Sequence, residues 1–190
     1  MMKLNQKKCE YEIVIRKNAL LYLSEIEGNF DIEHLKSIHK FLFEDIYDFA
    51  GEFRKVNMGK ADRASFTDYR DIEINLNQIL NNIDIKLIDR SVSKFLYAEA
   101  LAEMYYLLLE IHPFREGNGR TVREFLRQYV KDRNKNIEDV DYELDFTLKK
   151  EDKELFEIAT KSDTRGALVL LFNKMLKDKN KENNLNKFKI

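Results

Sequence analysis

Residues 95–123 read FLYAEALAEMYYLLLEIHPFREGNGRTVR, and the reading of the whole chain starts from them. From Phe95 to Ile111 the only polar residues are Glu99, Glu103 and Glu110. A helix that is apolar nearly all round belongs in the middle of a helical core. Its pattern begins at about Val92. The segment is short and carries three carboxylates, so it is not a membrane span. Pro113 disfavours the α conformation in the residue before it, which predicts a helix end near Ile111 and leaves His112 just past that end. Gly117-Asn118-Gly119 then leads directly into a further apolar stripe at Val122, Phe125, Leu126, Tyr129 and Val130.

Outward from this stretch the helical period recurs. Ile32, Leu35, Ile38, Leu42, Ile46 and Phe49 are spaced by threes and fours behind an N-cap at Asp31, with Gly51 placed as the C′ residue. Ile72, Leu76, Ile79, Ile83 and Leu87 mark another helix, and Lys153–Lys161 and Asp163–Lys177 two more. Residues 52–66 (EFRKVNMGKADRASF) carry no helical stripe and are read as a short β-hairpin or an irregular loop. Pro113 is the only proline, and there are six glycines in 190 residues. So few turn residues disfavour an all-β fold and point to long uninterrupted elements. The expectation is an all-α chain of one domain, residues 1–190, with a loose polar tail over 177–190.

Composition narrows the function classes. Lys plus Arg is 33 and Asp plus Glu is 34, a formal net charge of −1, which argues against nucleic-acid binding by bulk electrostatics. The N-terminal MMKLNQKKCEYEIVIRKN has no apolar signal-peptide core, and Cys9 is the single cysteine. A reducing cytoplasm is therefore expected, with no intrachain disulfide and no membrane segment.

The chemistry concentrates in residues 111–123. A glycine turn feeding a helix N-terminus directs several backbone N–H groups to one point, where the helix dipole adds positive character. Arg120 and Arg123 share a face of that helix's start, a position unfavourable for cations unless an anion binds there. Glu116 is a poor phosphate neighbour alone, but Mg²⁺ between carboxylate and phosphate removes the repulsion. His112 has the chemistry of a general base near neutral pH. Each residue taken singly has an ordinary structural reading. Their conjunction, in a window holding the only proline and two of the six glycines, points to transfer of a phosphorus-centred group to a hydroxyl.

At these residues the sequence resembles the Fic family, whose signature is HPFx[D/E]GNGRxxR. The run His112-Pro113-Phe114-Arg115-Glu116-Gly117-Asn118-Gly119-Arg120-Thr121-Val122-Arg123 matches it at every fixed position. Phe30–Arg54 (FDIEHLKSIHKFLFEDIYDFAGEFR) resembles the family's N-terminal core block, and the likeness covers about residues 30–175. The resemblance implies an all-α helical bundle with the motif in a loop between two central helices and a β-hairpin flap over residues 54–66. It implies transfer of AMP from Mg-ATP to a Ser, Thr or Tyr hydroxyl of a target protein. His112 would be the base and Glu116 the Mg²⁺ ligand. Gly117, Asn118 and Gly119 would form the anion hole, with Arg120 and Arg123 as phosphate contacts. Phe114 would lie in the core, and Lys60 would belong to the target-docking flap.

Many family members carry an inhibitory [S/T]xxxE[G/N] motif. Glu27-Gly28-Asn29 and Glu182-Asn183 match only its end, with Leu23 and Asp178 at the Ser/Thr position. A loop and a solvated tail are the preferred readings, so no complete built-in inhibitor is expected and a separate small antitoxin would supply the glutamate. His34 and His39 are five apart, not the four of a helical metal pair, and are read as structural. Two other functions stay open: a transferase using another nucleotide or transferring phosphate, and a binding partner silent until another protein engages it.

Overall fold

A computed structural model describes residues 2–59, 65–87, 93–133, 141–161 and 164–179. Among these the chain forms seven α-helices, a 3-10 turn and two short strands. The helices are α1 (Met2–Leu23), α2 (Ile32–Phe43), α3 (Ile72–Leu87), α4 (Lys94–Ile111), α5 (Asn118–Arg133), α6 (Lys150–Lys161) and α7 (Arg165–Met175). The strands are β1 (Tyr142–Leu144) and β2 (Leu176–Asp178), paired antiparallel with Glu143 opposite Lys177. The mainly helical architecture expected from the sequence is the one found. Lys60, Val92, Asp163 and Glu182 lie outside the described residues.

The chain divides into two compact units, residues 1–78 with 109–125 and residues 79–108 with 126–190, so the division falls within α3, α4 and α5. In the first unit α2 buries Leu35, Ile38, Leu42 and Phe43, and Ile72, Leu76, Ile111, Phe114, Val122 and Phe125 are buried as well. Asp31 caps α2 as its spacing predicts, its carboxylate accepting the N–H of His34 at 2.9 Å. In the second unit Tyr105, Phe146, Phe156 and Phe172 form an aromatic cluster with centroids 5.2–6.5 Å apart. Leu101, Met104, Leu108, Leu126 and Val130 are buried in the same unit.

Three elements depart from the sequence reading. First, α2 ends at Phe43 rather than running through Phe49. The N–H groups of Ile46 and Tyr47 both turn back to the Phe43 carbonyl, and Tyr47 stacks on Phe49 at 4.8 Å. Residues two apart cannot stack on a helix, so this contact requires the turn. Second, the chain before Leu23 is helical although no stripe announces it. On α1, Val14 and Leu21 are buried while Tyr11, Ile15, Leu20 and Tyr22 are exposed, so its apolar residues do not share one face. Third, Lys177 and Asp178 are not part of a loose tail but belong to β2, because Leu176 is buried and the backbone pairs with β1.

Of the flap segment, residues 54–59 and 65–66 are described. Its arms, residues 52–59 and 65–68, contain no strand; the N–H of Phe66 donates to the Met58 carbonyl at 3.2 Å. Asn57 closes the base, donating to Asp68 at 3.0 Å and accepting from the Tyr69 N–H at 2.9 Å.

Candidate active site

α4 stops at Ile111, and the chain turns at His112 into the left-handed region with φ +51°. A left-handed residue after a helix is a standard end for it, usually taken by glycine; a histidine there costs roughly 1–2 kcal/mol. The last three carbonyls of α4 have partners from outside its backbone ladder. The His112 ring reaches Leu109 O from Nδ1 at 3.3 Å, the Thr67 N–H approaches Glu110 O at 3.5 Å, and Arg54 takes Ile111 O at 3.2 Å. A carbonyl can only accept, so Nδ1 carries a proton, and in the neutral ring Nε2 then carries the lone pair that a general base needs. Phe66 stacks on the half-buried His112 ring, with centroids 3.9 Å apart and planes 18° from parallel.

From Pro113 to Asn118 the loop is fastened inward. Phe114 is fully buried and lies flat on His39, with centroids 3.8 Å apart and planes at 9°. The Asn118 side chain accepts the Phe114 N–H at 2.9 Å and donates to the Phe114 carbonyl at 2.8 Å. That amide is committed to the loop, and what Asn118 offers an anion is its backbone N–H. His39, fully buried, accepts the Gly51 N–H on Nδ1 at 2.8 Å and donates from Nε2 to the Glu116 carbonyl at 3.0 Å. Burial pushes this imidazole down to about 4; the bond to Glu116 O opposes the shift and the Arg120 charge adds to it. Gly117 has φ +81°, and a Cβ there would meet the Phe43 ring at 2.5 Å, so both backbone and space demand glycine.

The outward side is polar and more open. α5 begins at Asn118 with no acidic residue in its first turn. The first N–H groups of a helix have no acceptor within it, so this end is chemically suited to an anion. Arg123 lies against it: a Cβ on Gly119 would sit 3.4 Å from Arg123 Nη1. Glu116, largely exposed, accepts the Gly117 N–H at 3.0 Å and lies 3.6 Å from Arg120 Nη2. Arg120 also rests over Phe43, 4.6 Å from the ring centroid, and meets Glu10 of α1 at 3.3 Å. Tyr47 donates to the same Glu10 oxygen at 2.9 Å, its hydroxyl pushed up to about 12 by burial first and then by that carboxylate.

The structure therefore brings His112, Glu116, Gly117, Asn118, Gly119, Arg120 and Arg123 into one unit, while Lys60 is outside the described residues. Glu27 is exposed and lies between α1 and α2 outside any helix, as the loop reading expected. His34 and His39 are both buried and hydrogen-bonded, as a structural reading requires. Sequence reasoning gave no role to Glu10, Arg54 or Phe66. Glu10 meets a partner 110 positions away, and nothing in the local pattern signals that. Among the described residues no group of three or more His, Cys, Asp or Glu side chains could hold a metal ion, and no helix is long and apolar enough to cross a membrane.

The model of the Fic/DOC family matches residues 29–130, more than half of the chain, and the chain belongs to that family. It is 38% identical over 117 residues to the protein adenylyltransferase VbhT of Bartonella schoenbuchensis, a match covering 60% of this chain and 24% of VbhT. To the probable protein adenylyltransferase Fic of Escherichia coli it is 30% identical over 118 residues, covering 62% of this chain and 58% of that protein. The chain thus spans about a quarter of the first relative and somewhat over half of the second. Among solved structures, BepC of Bartonella tribocorum with bound AMPPNP superposes with a TM-score of 0.75 at 22% identity, over 92% of this chain and 87% of that one. The N-terminal Fic domain of a VirB-translocated effector of Bartonella quintana with bound ADP gives 0.76 at 23% identity, over 92% and 86%. At these identities the likeness bears on the fold.

Proposed function

We propose that the protein transfers AMP from Mg-ATP to a Ser, Thr or Tyr hydroxyl of a target protein. The observation that carries this reading is the His112 ring, its Nδ1 proton directed to the Leu109 carbonyl, one short loop before a glycine turn that opens α5. Relatives named protein adenylyltransferase support it. In the proposed step the target hydroxyl oxygen bonds to the α-phosphorus, the bond to pyrophosphate breaks, and the hydroxyl proton goes to His112 Nε2. The backbone N–H groups of Asn118 and Gly119, and that of Gly117 once Glu116 turns from it to the metal, would hold the phosphates with Arg120 and Arg123 where negative charge develops.

The donor set fits a magnesium ion that arrives with the nucleotide. Glu116 is a single, largely exposed carboxylate beside the glycine turn, and Mg²⁺ is commonly held by one or two carboxylates plus phosphate oxygens. Bound there, Mg²⁺ would neutralise phosphate charge. Glu116 would hold it, and Arg120, 3.6 Å away, would turn from Glu116 to phosphate.

The wider role proposed is that of a cytoplasmic toxin restrained by a separate small antitoxin. It is supported by exposed Glu27 lying outside a helix, and by Arg123, which forms no ion pair with a carboxylate among the described residues. A glutamate from another chain would find that arginine available. Incubation with lysate and α-³²P-ATP should label protein, and His112→Ala should remove the label. Label arriving from γ-³²P-ATP instead would mean phosphate transfer and overturn the reading.

A further inference from the structure

Arg54 is among the most deeply buried side chains of the molecule, 2% exposed, and it is a cation. Among the described residues it forms no ion pair with a carboxylate. Asp68 lies near enough to favour its charge, but that carboxylate is engaged by Arg70 and Asn57. Burial pushes the Arg54 guanidinium down, yet arginine stays protonated in proteins. What surrounds it is carbonyl oxygen. Nε donates to His112 O at 2.8 Å, Nη1 to Val56 O at 2.8 Å, and Nη2 to Ile111 O at 3.2 Å and to Thr67 O. Its backbone N–H donates to Pro113 O at 2.9 Å.

One residue therefore holds three consecutive carbonyls, those of Ile111, His112 and Pro113, together with one carbonyl from each arm of the flap. The three span the end of α4 and the left-handed turn at φ +51°. A buried cation is a weak way to gain stability, since its desolvation costs several kcal/mol. It is an effective way to fix carbonyl directions, because the guanidinium fork is planar and rigid. The charge also sits at the C-terminal end of α4, where the helix dipole favours a cation. Thr67 follows Phe66, so the bond to Thr67 O also fastens the ring that stacks on His112 at 3.9 Å.

We infer that Arg54 is a positioning residue for the transfer reaction. It holds the His112 backbone in its left-handed turn and locks both flap arms to the same point, so that the base and the surface covering it move as one piece. The inference rests on the proposed transferase reading for its catalytic meaning, while the positioning itself is testable without any turnover. Lysine keeps the charge but loses the fork, and would reach one or two of the carbonyls.

The chain has three histidines, His34, His39 and His112, so ring signals of histidine-labelled protein can be assigned one by one by NMR. In Arg54→Lys the His112 ring signal should move and broaden, while those of His34 and His39 stay in place. The Kd for Mg-AMPPNP should stay within about twofold, because the phosphate contacts proposed lie on the α5 side. Labelling of target should lose kcat by about a hundredfold and gain KM. An unmoved His112 signal, or one that shifts only in step with His34 and His39, would overturn the inference. Should the variant fail to fold, the native protein decides. The Arg54 Nε–H should exchange far more slowly than that of exposed Arg115 and show scalar coupling to the His112 carbonyl; fast exchange without coupling would overturn it. Loss of the transferase reading would remove only the labelling readout and leave the imidazole and exchange readouts standing.

Discussion

At the C-terminal half of α2, His39 lies flat against Phe114 with ring centroids 3.8 Å apart; at the end of α4, His112 lies flat against Phe66 at 3.9 Å. The ring contacts are nearly the same, and the surroundings of the nitrogens are not. His39 is fully buried, accepts a backbone N–H on one nitrogen and donates to a backbone carbonyl with the other. Those two bonds join Gly51, where the turns after α2 end, to Glu116 in the motif loop. His112 is half-buried, sits at a strained φ and has its Nδ1 proton directed to a carbonyl, so the lone pair lies on the other nitrogen. One imidazole is a fastener; the other has the bonding expected of the base in the proposed transfer. The comparison teaches that stacking alone does not distinguish the two roles; the partners of each nitrogen do.

The sharpest way to break this comparison is His112→Gly. Glycine accepts φ +51° without strain, so stability should stay within about 1 kcal/mol of wild type despite the lost ring contact. Transfer should fall by about a thousandfold, the size expected for loss of a general base. Urea denaturation and α-³²P-ATP labelling measure the two; retained labelling would make His112 a fastener as well. The reciprocal change, His39→Leu, should cost about 2 kcal/mol in the same urea series, because it leaves a part-buried N–H and a part-buried carbonyl without their partner.

Acid should expose the same difference. The unfolded chain protonates His39 near its ordinary value of 6.5, whereas the folded protein resists until about 4. The unfolded state then binds more protons, so stability is full above pH 6.5 and falls as pH drops through this window toward 4, by up to about 3 kcal/mol. In His39→Leu this portion of the slope should disappear. The smallest effect belongs to Glu10→Gln. Removing the carboxylate frees a partly exposed Arg120, and affinity for Mg-AMPPNP by calorimetry should rise only about two- to fivefold.

The site was legible in the sequence where local rules decide it. Pro113 and the glycine pair set the end of α4 and the start of α5, and the position of Gly117 against Phe43 explains why the glycine stands there. The buried stripe Val122, Phe125, Leu126, Tyr129 and Val130 was readable for the same reason. Illegible parts depend on partners distant in the chain. Nothing in the sequence beside Arg54 gives it a role of its own, and only the convergence of residues 56, 67, 111 and 112 makes it buried. Glu10 is one of many acidic residues until α1 carries it to Arg120. The β1–β2 pair, three residues a strand, is too short to show a period.

The central claim is that the lone-pair nitrogen of His112 and the amides opening α5 face one nucleotide from two sides. A crystal structure of the protein with Mg²⁺ and a non-hydrolysable ATP analogue tests it most directly. The account predicts the β- and γ-phosphates on the Gly117–Gly119 amides with Arg120 and Arg123, and the α-phosphorus within reach of a hydroxyl bonded to His112 Nε2. A nucleotide bound elsewhere, or the γ-phosphate in front of His112, would contradict it.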